Sequence, residues 1–202
     1  MKYILFKCAI FLLCFLAVEA VSAEVLRITD ENIPFLYEAR IKTRVPDDTL
    51  AKYISSDYEN AKDEFTRRDL FQQIKPVIEE RIREAKQTTE VHLRISATLG
   101  TYDFERESFP TGLTSPLTIE FENRYSVILE NLEGMDLIEM PLIEAKKLSQ
   151  SLRKSRTAVF DVYGVIVGTK MELGDWTKTP NKFIKVKMKK FEARHISGKK
   201  LE

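Results

Sequence analysis

The sequence predicts an α+β fold, with N-terminal helices packed on a mostly antiparallel sheet of five to seven strands. Two changes of pattern predict it. Apolar residues recur three and four apart up to residue 87, and from Thr88 the period drops to two. After that switch a single helical pattern interrupts the strand patterns, so successive strands are joined by short connections, which favours antiparallel pairing. A partly closed barrel is the second option for the same strand order. The chain has 202 residues, enough to bury one sizeable core. The expected organisation is a signal peptide over 1–23 and one domain over 24–202, helical over 24–87 and strand-rich over 88–193.

Val25 to Ile28 reads as a short edge strand. Asp30 is placed to cap a helix carrying Ile33, Leu36, Tyr37 and Ile41, which Pro46 ends. Asp47 or Asp48 then caps a helix to about Ala61. Leu70, Ile74, Val77, Ile78, Ile82 and Ala85 form one apolar stripe over Arg67 to Lys86. Pro76 lies inside that stripe and lacks a backbone donor, so a kink or two abutting helices is expected there.

Val91, Leu93 and Ile95 alternate with His92, Arg94 and Ser96 as in a half-buried strand, and Leu117 to Glu122 repeats the pattern. Tyr125 to Glu130 and Met135 to Met140 flank Glu133-Gly134, which suggests a hairpin. Pro141 begins a helix to about Arg153 with Leu142, Ala145, Leu148 and Leu152 on its packed face. Thr157 to Lys170 is a long strand with Gly164 and Gly168 as bulge or bend points. Lys182 to Phe191 alternates strongly and pairs antiparallel with it. The residues from Arg194 are polar and expected to fray.

The first 23 residues look like a secretory signal. Lys2 and Lys7 precede or interrupt an apolar run from Ile4 to Val18, and Val21-Ser22-Ala23 supplies small residues at a cleavage site. A retained anchor is the alternative. Cys8 and Cys14, the chain's two cysteines, both fall in this segment, so the mature chain would carry no thiol. No Asn-x-Ser/Thr site occurs. These features suit a periplasmic or secreted bacterial protein held together by its apolar core.

Charge narrows the function classes. The chain has 32 Lys plus Arg and 31 Asp plus Glu, and removing Lys2, Lys7 and Glu19 leaves equal numbers. Such balance makes no case for nucleic acid as a partner. No later apolar run approaches the roughly 20 residues that span a bilayer. The glycine loops of nucleotide sites and the Gly-x-Ser-x-Gly elbow are missing from the sequence. His92 and His195 are distant and unaccompanied by cysteine, so neither a metal nor a cofactor is expected.

The densest candidate is Leu99 to Pro110. Tyr102, Phe104 and Phe109 could grip a ligand, beside Arg106, while Asp103, Glu105 and Glu107 could serve acid–base chemistry. Plain strand alternation accounts for the same residues. Lys182, Lys185, Lys187, Lys189, Lys190, Arg194, Lys199 and Lys200 form a second candidate, either a polyanion-binding strip or the solvated face of an edge strand. Trp176, in Gly174-Asp175-Trp176-Thr177, is a loop aromatic suited to a partner contact.

The run from "DLFQQIKPVIEERIREAK" through "VHLRISATLGTYDFERESFP" to "RTAVFDVYGVIVGTK" resembles a group of uncharacterised secreted bacterial proteins that share a Leu-Gly-x-Tyr-Asp-Phe signature. The resemblance spans roughly residues 66–170. It implies an envelope location and a single domain, and it implies no reaction.

Together these readings point to a non-enzymatic protein that binds another protein or an envelope component through Tyr102, Asp103, Phe104, Arg106, Phe109 and Trp176. A hydrolase using paired carboxylates and a secreted effector or inhibitor are the alternatives.

Overall fold

The computed structural model describes residues 25–173, 180–196, 198, 200 and 201. The proposed signal peptide and Trp176 lie outside the described residues. Eight strands and five α-helices follow in the order β1 (Leu26–Arg27), α1 (Ile33–Glu38), α2 (Asp47–Ala51), α3 (Ser56–Asn60), α4 (Glu64–Gln87), β2 (Glu90–Thr98), β3 (Ser108–Pro110), β4 (Leu117–Glu120), β5 (Tyr125–Glu130), β6 (Leu137–Glu139), α5 (Leu142–Leu152), β7 (Thr157–Leu173) and β8 (Pro180–His195). A short 3-10 turn, Glu122–Arg124, precedes β5. The α+β class and the mostly antiparallel sheet stand as expected.

Six strands form one sheet in the order β1-β2-β7-β8-β5-β4, and β3 pairs with β6 in a separate ribbon. The β1–β2 and β8–β5 pairs are parallel, and the other three pairs of the large sheet are antiparallel. The sheet is open, with β1 and β4 at its edges, so no barrel closes. The lysine-rich β8 is therefore an interior strand, flanked by β7 and β5, and not the edge strand considered from sequence.

One sheet face carries the core. Val91, Leu93 and Ile95 of β2, Ala158, Phe160 and Val162 of β7, Ile184 and Val186 of β8, and Val127 and Leu129 of β5 are all buried. Buried Ile33, Phe35, Leu36, Leu50, Ile74 and Ile78 from the N-terminal helices join the same cluster. Each fully buried large aliphatic side chain contributes about 1.5–3 kcal/mol. Phe109, Met135, Ile138, Leu148 and Leu152 extend this core under the β3–β6 ribbon and α5. The opposite face is polar: His92, Arg94 and Ser96 alternate with the buried residues of β2.

Five local expectations change. Asn32, not Asp30, stands at the N-cap of α1. Asp30 instead accepts the amide of Glu122 at 2.8 Å. The helix expected over residues 47–61 breaks into α2 and α3, because the Ser55 hydroxyl accepts the Tyr58 amide and starts a new helix. Pro76 does not divide α4, which runs as one 24-residue helix capped by Asp63. Its position is exposed, so the carbonyl it leaves without a donor can turn to water. The proposed β5–β6 hairpin does not form. Gly134, at φ 80°, turns the chain away, and β6 pairs with β3 while β5 joins β8. At the C-terminus, Leu201 is buried and its amide donates to Ala193, so the chain folds back instead of fraying there.

Candidate functional site

The Tyr102–Pro110 segment is a tight hairpin. The backbones of Asp103 and Ser108 exchange hydrogen bonds at 2.8 and 3.2 Å. Asp103 Oδ1 accepts the amides of Glu105 and Arg106 at 2.9 and 3.1 Å, which pins the turn from within. Glu107 takes a left-handed φ of 46° to close it, and its carbonyl accepts the Met140 amide.

The three aromatics of this hairpin have three different fates. Phe109 is 1% exposed and belongs to the core, so its side chain is not available to a partner. Tyr102 is half-buried, and its hydroxyl donates to the Met140 carbonyl at 2.8 Å. Phe104 is 73% exposed and packs edge-on against the Tyr102 ring, 5.2 Å between centroids. Tyr102 in turn packs edge-on against Phe109 at 5.0 Å. The stack therefore runs from the core to a solvent-facing tip. Arg106 is exposed beside it, 3.9 Å from Asp103. The carboxylates do not converge, since Asp103 is committed to backbone amides while Glu105 and Glu107 lie exposed on the turn.

Two ionic clusters, each built on a buried carboxylate, went unrecognised in the sequence. In the first, Glu38 at the end of α1 meets Lys182 of β8, with Nζ 2.6 Å from Oε1. The Tyr125 hydroxyl donates to the same carboxylate oxygen at 3.2 Å, and Lys182 donates to that hydroxyl at 3.0 Å. The second carboxylate oxygen accepts the Val45 amide. The ammonium also stands 4.9 Å from the Tyr125 ring centre and 5.5 Å from that of Tyr37. Burial, and then the Glu38 charge, hold the phenols of Tyr37, Tyr53 and Tyr125 above their ordinary pKa. Strand parity was the available signal, because Lys182 is in phase with Ile184, Val186 and Met188.

In the second cluster, Asp161 of β7 is buried on the polar face of the sheet beneath its own partners. His92 Nε2 lies 2.9 Å from its Oδ1, and Arg94 Nε donates to that oxygen at 2.8 Å. Arg194 donates to Oδ2. The His92 ring stacks on Tyr163 at 4.8 Å. The imidazole pKa is lowered, first by burial and then by Arg94, Arg27 and Arg194, despite the nearby carboxylate. Two guanidinium groups already share the Asp161 charge, so the carboxylate does not offset the burial.

Two further lysines of β8 are tied into cross-strand pairs. Lys185 meets Glu130 at 2.7 Å and Lys189 meets Glu90 at 2.5 Å. Among the described residues, no group of three or more His, Cys, Asp and Glu could hold a metal ion. No described helix is long and apolar enough to cross a membrane. No protein-family model matches the chain, and comparison with curated proteins and with solved structures gives no match.

Proposed function

We propose that the protein is a non-enzymatic binding protein of the bacterial periplasm or exterior that contacts a protein or an envelope component through the hairpin tip at Phe104 and Arg106. The observation that carries this reading is the mounting of Phe104, which is 73% exposed yet stacked on a tyrosine whose hydroxyl is anchored. A rigid aromatic presented this way loses little conformational freedom when a partner covers it. The hydrolase alternative needs two facing carboxyl groups, and the hairpin carboxylates point apart into backbone and solvent. A secreted effector or inhibitor would use the same tip against a foreign protein. The signal-like first 23 residues support an extracytoplasmic site of action.

The test compares the wild type with a Phe104→Ala/Arg106→Ala variant, each immobilised and exposed to an envelope extract of the source cell. The variant should melt at the wild-type temperature and lose a component that the wild type retains. Equal retention by both proteins would remove the tip from the binding reading. Unfolding of the variant would make the tip part of the core.

A further inference from the structure

Three rows of side chains cross the polar face of the sheet. Direct strand pairing sets Arg27, His92, Tyr163 and Lys190 in one row. Arg94, Asp161 and Glu192 form the next. Ser96, Val159, Arg194 and Lys200 form the third, where Lys200 bridges back beside Arg194. Paired residues share a face, so five cationic side chains stand together against two carboxylates. With strands about 4.8 Å apart and rows about 6.7 Å apart, the patch measures roughly 13 by 14 Å. This local surplus belongs to a chain whose net charge is only +1.

The arrangement does more than crowd charges. Asp161 is 2% exposed and is shared between Arg94, which uses only Nε, and Arg194, which uses Nη2. One carboxylate thereby fixes two guanidinium groups while both remain over 40% exposed. The terminal amino groups of Arg94 have no partner among the described residues. Neither Arg27 nor Lys200 has an ion-pair partner among the described residues. Lys190 is drawn to Glu192 at 3.9 Å and stands 4.6 Å from the Tyr163 ring centre. A cleft of about 360 Å³ opens beside it between Val25, Glu90, Tyr163, Lys189 and Lys190.

We infer that this patch is a binding site for a phosphate- or sulfate-bearing ligand, whose oxygens are received by the outward N–H groups of Arg94 and Arg194, with Arg27 and Lys200 flanking. Guanidinium forks match the tetrahedral oxyanion edge and are less strongly hydrated than ammonium groups. Asp161 sets their orientation before the ligand arrives, which reduces the ordering cost of binding. The row spacing suits a ligand that carries more than one such group. This site is separate from the Phe104 hairpin and does not depend on it.

The probes are tripolyphosphate in calorimetric titration at low salt and phosphatidylglycerol vesicles in co-sedimentation, with phosphatidylcholine vesicles as reference. The main variant is R27Q/K200Q, which leaves all three partners of Asp161 in place. The control is K146Q/K147Q, the same charge change at exposed positions of α5. R27Q/K200Q should weaken binding roughly fivefold, as expected for two exposed ion pairs, while the control should not. Binding of tripolyphosphate assigns the oxyanion to a soluble ligand. Retention on phosphatidylglycerol vesicles alone assigns it to a lipid headgroup. Binding of neither probe, or binding that R27Q/K200Q leaves unchanged or that the control weakens equally, overturns the site.

Discussion

Lys182 Nζ lies 2.6 Å from Glu38 Oε1, and the Glu38 side chain is wholly inaccessible to solvent. The pair joins α1 to the middle of the sheet across 144 residues of chain. The Tyr125 hydroxyl hydrogen-bonds to both members, and the rings of Tyr37 and Tyr53 pack edge-on against Tyr125. Removing one member leaves the other charged and buried. Glu38→Met and Lys182→Met should therefore each cost about 3–5 kcal/mol. The double variant Glu38→Met/Lys182→Met should cost much less than the sum, because no charge is then stranded. Urea unfolding of the four proteins completes the cycle, and additive losses would show that the two groups do not act as a pair.

Tyr125 gives the fold an alkaline weakness. Burial and the Glu38 carboxylate raise its pKa far above the ordinary phenol value of about 10. A raised pKa in the folded state means that the native protein holds the proton more tightly than the unfolded chain. The contribution is complete below pH 10 and is lost as pH rises beyond it. Urea midpoints should therefore fall above pH 10. Tyr125→Phe, which has no phenol to ionise there, should show a shallower fall while being less stable at neutral pH. Parallel curves for the two proteins would assign the alkaline loss to other groups.

His92 acts at the other end of the scale. Burial first, and the surrounding arginines next, lower its pKa below about 6.5, so the native state resists protonation. For a depressed pKa the stabilisation is present above the unfolded value and is lost as pH falls through the folded one. Wild-type stability should decline as pH drops below 6.5, and His92→Gln should flatten that decline while keeping a donor toward Asp161. Proton NMR titration of the imidazole checks the cause directly, and a midpoint above 6.5 would reverse the sign.

The hairpin aromatics separate packing from display. Phe109 is buried among core side chains, so Phe109→Ala should cost about 3–5 kcal/mol. Phe104→Ala loses an edge contact with Tyr102 and little buried area, so it should stay within about 0.5 kcal/mol of the wild type. Thermal melts of the two single variants decide this, and similar losses would place Phe104 in the packed structure.

Periodicity carried the long elements because their burial is local. The α4 stripe ends up with Ile74, Ile78 and Ala85 inside, and the β2 alternation buries Val91, Leu93 and Ile95. Features settled by distant partners were not legible. The choice of β8 over β6 as the neighbour of β5 depends on a core face assembled from the whole chain. Asp161 meets His92 and Arg94 across 69 and 67 residues, with no spacing to reveal it. The hairpin motif was visible as a cluster, but which of its aromatics faces inward depends on the Met140 carbonyl and the β3–β6 pairing. Lys182 is a different case: the sequence reading groups it with the other lysines of the strip, although its parity with Ile184 puts it on the apolar side.

The two glycines of β7 mark register shifts against β8, at Tyr163/Gly164 and at Ile166/Gly168, and they differ in what surrounds them. A Cβ on Gly164 would stand 2.6 Å from Val186 Cγ1 and 2.7 Å from the Lys187 carbonyl oxygen. The second of these is backbone and cannot swing aside, so Gly164→Ala must push β7 away from β8 and should cost about 1–3 kcal/mol. A Cβ on Gly168 would meet nothing within 4 Å. Gly168→Ala also restricts the unfolded chain, so it should be neutral or stabilising by up to about 1 kcal/mol. Both replacements make the same chemical change within five residues of one strand. Urea midpoints therefore read the close approach of the strands alone, and equal effects would show that β8 does not press on Gly164.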